Sequence, residues 1–290
     1  MAIEAGTAAM SAATAAPGDV RWVIHGGTSL QGAVGWPLHH AIQHGVVGAQ
    51  GNSLEVKQYC AGGLTSWLLA SGLLDPKGAA ICTGADNWSW GDRFVTSRSD
   101  GGEPFSDVAH AAVLSTQDGF AQILGSGTAS CPSQANAWQP REPFWESTTL
   151  DDYRRTFSCA AEAWKAEWAQ DSFRMLVDAV ETAMTAARIS PQYVTHFVQP
   201  AGSGGLYRSL ARTIDLPWSD SLCEHYLDCG YLGTSSAVAG MMHFAKAGDF
   251  AAGSIALLLA VEYQMSATAV ILRITRRPKI SVSDVIGVAS

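Results

Sequence analysis

Apolar and polar residues alternate across residues 52–57, the signature of a strand with one covered face. A turn follows, Gln58-Tyr59-Cys60-Ala61-Gly62-Gly63-Leu64. Residues 65–74 read as an apolar helix, closed by Asp75-Pro76. Upstream, residues 2–16 are rich in Ala and Met and read as a helix that Pro17-Gly18-Asp19 ends. Residues 20–25 then read as a strand leading into a Gly-rich loop, and residues 78–83 as another strand. Helix and strand alternate again at residues 179–187 and 194–198, and the apolar run 254–261 has the length of a strand.

These two stretches are copies of one pattern. Ala5, Ala9, Met10, Ala12, Ala13, Pro17 and Val20 match Ala179, Ala183, Met184, Ala186, Ala187, Pro191 and Val194 at a constant separation of 174 residues. Cys60 carried along by the same step falls on Thr234, in Gly233-Thr234-Ser235-Ser236-Ala237, which again precedes an apolar helix and a strand. A fixed period linking helix, strand, turn, helix and strand marks an internal duplication. Near-continuous apolar strands alternating with helices mean an α/β fold with buried sheets. Two such halves should pack as sheets between helices, with their turns converging on one site. The chain divides into residues 1–127 (first half with the Cys60 turn), 128–168 (connection) and 169–290 (second half). The connection holds Trp138, Trp145, Trp164 and Trp168 with Pro132, Pro140 and Pro143, a cap on the core or a wall of a substrate pocket.

Composition narrows the partners. The 290 residues are 47% hydrophobic and 15% charged, enough for a large core. A net charge of −8 argues against nucleic acid and acidic membrane surfaces, although Arg93, Arg98, Arg154 and Arg155 could form a local patch for an acidic carrier. The six cysteines show no zinc spacing, no His/Asp/Glu cluster has metal-ligand spacing, and the glycines at 202, 204 and 205 are not a dinucleotide fingerprint, so no cofactor is expected. With neither a basic leader nor an apolar stretch long enough to span a bilayer, a soluble cytoplasmic protein is expected.

Cys60 is the candidate nucleophile. A cysteine at a strand-to-helix turn meets free N–H groups and the positive end of the helix dipole, which favour a thiolate and predict a lowered pKa. A buried structural cysteine is the alternative.

A duplicated α/β chain with this turn resembles the thiolase fold, and within it the ketoacyl-ACP synthase III family of condensing enzymes and their acyltransferase relatives. The stretches that carry the resemblance are Gln58-Tyr59-Cys60-Ala61-Gly62-Gly63, Phe105-Ser106-Asp107-Val108-Ala109-His110-Ala111-Ala112-Val113-Leu114, Phe197-Val198-Gln199-Pro200-Ala201 and Gly233-Thr234-Ser235-Ser236-Ala237. The resemblance implies that Cys60 accepts an acyl group from an acyl-carrier-protein or coenzyme A thioester, and that the chain forms a homodimer or pairs with a related synthase. The chain departs from the family at four points. It starts at the helix that follows the family's opening strand, part of the coenzyme A site. Pro200 stands at the catalytic histidine position and Gly233 at the catalytic asparagine position. Glu262-Tyr263-Gln264 replaces a glycine-rich turn that gives an oxyanion-hole N–H. Pro200, Gly233 and Tyr263 are expected to line the substrate site: Pro200 and Gly233 without the family's side-chain donors, and the turn around Tyr263 as a source of the second oxyanion-hole N–H, beside that of Cys60, if its backbone path is kept. Pro200 has neither a side-chain donor nor an N–H.

His225 is the remaining candidate for a catalytic histidine, with a structural histidine as its alternative reading. His110 replaces a family glycine and is expected to fill space. The expected function is acyl transfer from Cys60 to an oxygen, nitrogen or sulfur acceptor in specialised metabolism, with decarboxylative condensation disfavoured. The alternatives are a catalytically reduced subunit of a heteromeric synthase and a thioester hydrolase or cyclising enzyme.

Overall fold

The computed structural model describes residues 1–13, 15–28, 35–88, 104–133, 135, 166–202 and 204–277. The arginines at 93, 98, 154 and 155, and all of the Trp/Pro-rich connection except its two ends, lie outside the described residues.

The duplication sets the element order. The first half runs α1 (Ala2–Ala12), β1 (Val20–Gly26), α2 (Leu38–Val47), β2 (Asn52–Val56), α3 (Gly62–Leu73), β3 (Ala79–Asp86) and β4 (Val108–Ser115). After β5 (Ala121–Ser130) the second half runs α4 (Ala166–Ala187), β6 (His196–Val198), α5 (Gly204–Ile214), α6 (Asp220–Cys229), α7 (Ser236–Ala247), β7 (Ile255–Glu262) and β8 (Ser266–Ile274). Short 3-10 turns recur at the 174-residue period: Pro17–Asp19 with Pro191–Tyr193, and Tyr59–Ala61 with Gly233–Ser235. α3 and α7 begin and end at the same period.

One sheet has the order β2-β1-β3-β4 and the other β5-β8-β7-β6. β1 pairs parallel with β2 and β3, β6 pairs parallel with β7, and β4 and β8 run antiparallel to their neighbours. β5 straddles residue 127 and pairs with β8, so the second sheet takes in chain from Ala121 onward.

Both faces of each sheet are covered, which explains the apolar strands. On β1, Ile24 points into a central core while Val20 and Val23 face α1 and α2. On β7, Leu258 faces the same centre while Leu257 and Leu259 face α4 and α5. The centre is filled from α3 by Leu64, Trp67 and Ala70 and from α7 by Ala237, Met241 and Phe244. Helices and sheets thus alternate in layers, with α3 and α7 between the two sheets. α3 buries Leu64, Ser66, Trp67 and Ala70 between the sheets, while Leu69 and Leu73 remain exposed toward its C-terminal end.

Candidate active site

β2 delivers Cys60 to the start of α3 through a strained step. Tyr59 sits at φ +40°, a left-handed conformation uncommon for any residue with a Cβ. Its duplicate is Gly233, at φ +49°. The two turns meet: Thr234 Oγ1 accepts a hydrogen bond from Gly63 N at 2.6 Å. Only glycine fits at 63, because a Cβ would lie 2.7 Å from His110 Cε1 and 2.9 Å from Thr234 Oγ1.

Asp86 joins these parts. It ends β3, is fully buried, and accepts from Thr28 N at 2.6 Å and from Thr234 N at 2.8 Å. One carboxylate therefore ties the loop after β1 to the turn of the second half. A Cβ on Gly233 would run into this carboxylate and stand 3.2 Å from Thr28 Oγ1. The volume that a side chain at 233 would use belongs to Asp86.

Cys60 is partly buried, and the Tyr231 and Thr28 side chains face its thiol. The expectation of a lowered thiol pKa is overturned. Burial first, and to a smaller extent the nearby Asp86, push it up to about 11 against the opposing hydrogen bonds of Tyr231, Thr28 and the backbone. Loss of water around a thiolate costs more here than the helix start returns. Cys60 rests as a thiol at neutral pH. Its alkylation by iodoacetamide should accelerate about tenfold per pH unit from about pH 7 to 10, since the thiolate fraction rises tenfold per unit below the pKa. A rate plateau below about pH 8, with the label mapped to the Cys60 peptide, would contradict this.

Aromatic rings wall the site. Burial, and then the proximity of Cys60, raises the Tyr207 and Tyr231 hydroxyls above the ordinary tyrosine range. The Tyr263 ring meets Tyr59 edge-on, with centroids 4.8 Å apart. Tyr263 and Gln264 take φ +42° and +59° in the β7–β8 turn, which Met265 N closes on Glu262 O at 2.7 Å. Pro200 follows β6 and is buried. Beside it, the Gln199 carbonyl accepts from the Tyr226 hydroxyl at 2.9 Å, which is shared with Ser236 O at 3.0 Å. The end of β6 is thereby fixed to the start of α7.

The histidines fall into two groups. His225 on α6 is placed against its helical neighbours: its ring stacks on His243 at 4.7 Å and its Nδ1 lies 3.6 Å from Cys229 Sγ. Burial, and then the nearby His243 and Lys246, lower its pKa. His110 on β4 instead buttresses the site. Its Nδ1 pairs with Ser235 Oγ at 2.8 Å, its Nε2 is buried without a partner, and burial holds it neutral, with a pKa of about 3. Sequence reading misses Asp86, Tyr207 and Tyr231. Asp86 carries one available signal, a carboxylate at the C-terminal end of a buried parallel strand, where α/β sheets gather their sites. Among the described residues no His/Cys/Asp/Glu group could hold a metal ion, and no helix is long and apolar enough to cross a membrane.

No protein-family profile and no curated protein matches the chain. Solved structures do match. The acyltransferase ChlB3 superposes with a TM-score of 0.83 at 22% identity, over 96% of this chain and 84% of that one. The 3-oxoacyl-[acyl-carrier-protein] synthase III of Aquifex aeolicus gives 0.72 at 15% identity, over 94% and 83%. The priming β-ketosynthase of the R1128 polyketide biosynthetic pathway gives 0.74 at 17% identity, over 96% and 82%. The chain has the thiolase fold of the ketoacyl-ACP synthase III-type enzymes.

Proposed function

We propose that the protein is an acyltransferase that carries an acyl group on Cys60. The donor would be a thioester of an acyl carrier protein or coenzyme A. The observation that supports transfer over condensation is the Asp86 carboxylate, held beside the nucleophile where a side chain from 233 would otherwise stand.

In the loading step, Cys60 Sγ bonds to the thioester carbonyl carbon and the donor's C–S bond breaks. The Cys60 proton ends on the departing thiol. Because the thiol is protonated at rest, sulfur attack and proton loss must be concerted, with Tyr231 and Thr28 stabilising the developing charge on sulfur. In the second step the acceptor X–H attacks the acyl carbon. Its proton passes to Asp86, then to the Cys60 sulfur as the C–S bond breaks. Decarboxylative condensation would develop negative charge on an enolate oxygen. Pro200 and Gly233 offer it no side-chain donor, and an adjacent carboxylate opposes a second negative charge. The polyketide priming ketosynthase among the structural neighbours supports a place in specialised biosynthesis.

The test is intact-mass measurement after incubation with acyl-CoA and acyl-carrier-protein thioesters. An acyl adduct mapped to the peptide containing Cys60, discharged by an added amine, alcohol or thiol, is the expected result. No adduct from any donor would sink the proposal. An adduct released as free acid, equally fast without acceptor, would replace transferase with hydrolase.

A further inference from the structure

The nucleophile turn is tied to the second half on two sides. On one side Gly63 N donates to Thr234 Oγ1. On the other, β8 lies along the start of α3 and meets it through side chains. Gln58 Nε2 donates to Ser266 Oγ at 3.0 Å, and Thr65 Oγ1 lies 2.9 Å from Thr268 Oγ1. These partners stand 208 and 203 residues apart in the chain, so neither contact exists until the halves have come together. Ser266 is buried, and Thr268 fully so.

Ser266 does more than face Gln58. Its own hydrogen is committed to Glu262 Oε2 at 2.6 Å, within the range of a charge-assisted bond to a carboxylate. A serine hydroxyl has one hydrogen, so the chain of bonds has one direction, from Gln58 through Ser266 to Glu262. Gln58 also carries the carbonyl on which Ala61 N closes the Tyr59–Ala61 turn, at 3.0 Å. Glu262 carries the carbonyl on which Met265 N closes the β7–β8 turn, at 2.7 Å. One serine therefore links the residue that anchors the Cys60 turn to the residue that anchors the β7–β8 turn.

Both turns are strained, and their strained residues meet. Tyr59, Tyr263 and Gln264 take φ of +40°, +42° and +59°. Residues with a Cβ hold such angles only where their surroundings over-determine them, and this strain collects at functional sites. The Tyr59 and Tyr263 rings touch edge-on. Gln264 O accepts from Ser172 Oγ at 2.9 Å and from Cys131 Sγ at 3.2 Å. The far side of the turn is thus pinned to α4 and to the end of β5, while the Gln264 N–H donates to none of the described residues. Glycines would take these angles without strain. Tyrosine and glutamine need the turn to be held, and Ser266 supplies the hold that leads to Cys60.

We propose that Ser266 is a positioning residue for the acylation of Cys60. Through Gln58 and Glu262 it fixes the β7–β8 turn against the Cys60 turn, so that one backbone N–H from each, Gln264 and Cys60, faces the carbonyl oxygen of the acyl donor. This deepens the acyltransferase reading and rests on it. As Cys60 Sγ bonds to the carbonyl carbon, the π electrons move onto that oxygen, and both N–H groups stabilise the charge. The pair returns as the donor's C–S bond breaks, and the Cys60 proton ends on the departing thiol. Ser266 touches no reacting atom; it sets the separation of two donors that do.

Two reactions of the same thiol test this on the full chain, each read by mass at the Cys60 peptide. Iodoacetamide alkylates sulfur by displacement at a saturated carbon, where no oxygen gains charge. p-Nitrophenyl acetate acylates it through a tetrahedral oxyanion. Ser266→Ala should slow acetylation about 100-fold, the loss falling on the maximal rate and not on the half-saturating ester concentration. Alkylation at the same pH should stay within about twofold, because it depends on the thiolate and not on the oxyanion donors. Ser266→Thr keeps the hydroxyl and should restore acetylation to within about threefold. Gln58→Leu should show the same split as Ser266→Ala, and if one of the two does not fold the other decides. Acetylation equal to the parent's overturns the proposal. So does a parallel loss of alkylation, which marks collapse of the site, and so does threonine failing to restore acetylation while alkylation persists. The ester also separates this proposal from the reading beneath it. A parent acetylated by the ester but by no carrier or coenzyme A thioester sinks the acyltransferase and leaves the role of Ser266 standing; a parent that resists the ester overturns both.

Discussion

Asp86→Asn should separate the two half-reactions. Acyl loading of Cys60 from a thioester is expected to stay within a few-fold of the parent, while transfer from Cys60 to the acceptor falls about 100-fold, the usual size of a lost general base. Loading needs no base beyond the departing thiolate, whereas an alcohol or amine acceptor must shed a proton close to Asp86. The amide keeps the shape of the carboxylate and one acceptor for the N–H groups of Thr28 and Thr234. Its NH2 then faces the other N–H, so a stability loss of about 1–3 kcal/mol accompanies the change. The thiol supplies a readout that unfolding would not mimic. Asp86 raises the Cys60 pKa, so removing its charge lowers it, and alkylation of Cys60 under mildly alkaline conditions should speed up. Single-turnover intact-mass measurements report loading and discharge separately. Unchanged discharge would remove Asp86 from the chemistry.

The architecture is legible in the sequence because the duplication repeats local chemistry. Prolines at 17 and 191 and apolar helices after two turns are features that each half shows by itself, and the structure repeats them at the same period. The Cys60 turn is legible for the same reason, since it is contiguous. Asp86 is not: its partners lie 58 and 148 residues away, and nothing near it in the chain distinguishes it from any strand-ending polar residue. Tyr231 reaches the thiol, and Tyr207 comes within its electrostatic influence, only through convergence of the two halves. His225 shows how sequence proximity differs from proximity in space. It stands close before Gly233 in sequence, yet α6 directs its ring onto His243 of α7. The thiol's acidity is misjudged from sequence because the helix start is local and visible there, whereas desolvation depends on everything packed around it.

Restoring a side chain at 233 should be damaging by itself and tolerable only when Asp86 is removed. Gly233→Asn faces little backbone penalty, because asparagine accepts a left-handed φ such as +49° better than most residues. The obstacle is steric: the new Cβ enters space held by the Asp86 carboxylate, itself tied at both oxygens. Overpacking against a fixed buried carboxylate should cost about 3 kcal/mol or more. Asp86→Ala alone strips the partner from two backbone N–H groups, at about 2–4 kcal/mol. In the double variant the introduced carboxamide can enter the vacated volume, and its oxygen can accept from a freed N–H. Denaturant unfolding of all four forms should therefore show a coupling of at least about 1 kcal/mol in favour of the pair. Strictly additive losses would mean that Asp86 and position 233 do not compete for one volume, and the inverse relation between carboxylate and side chain at this site would fail.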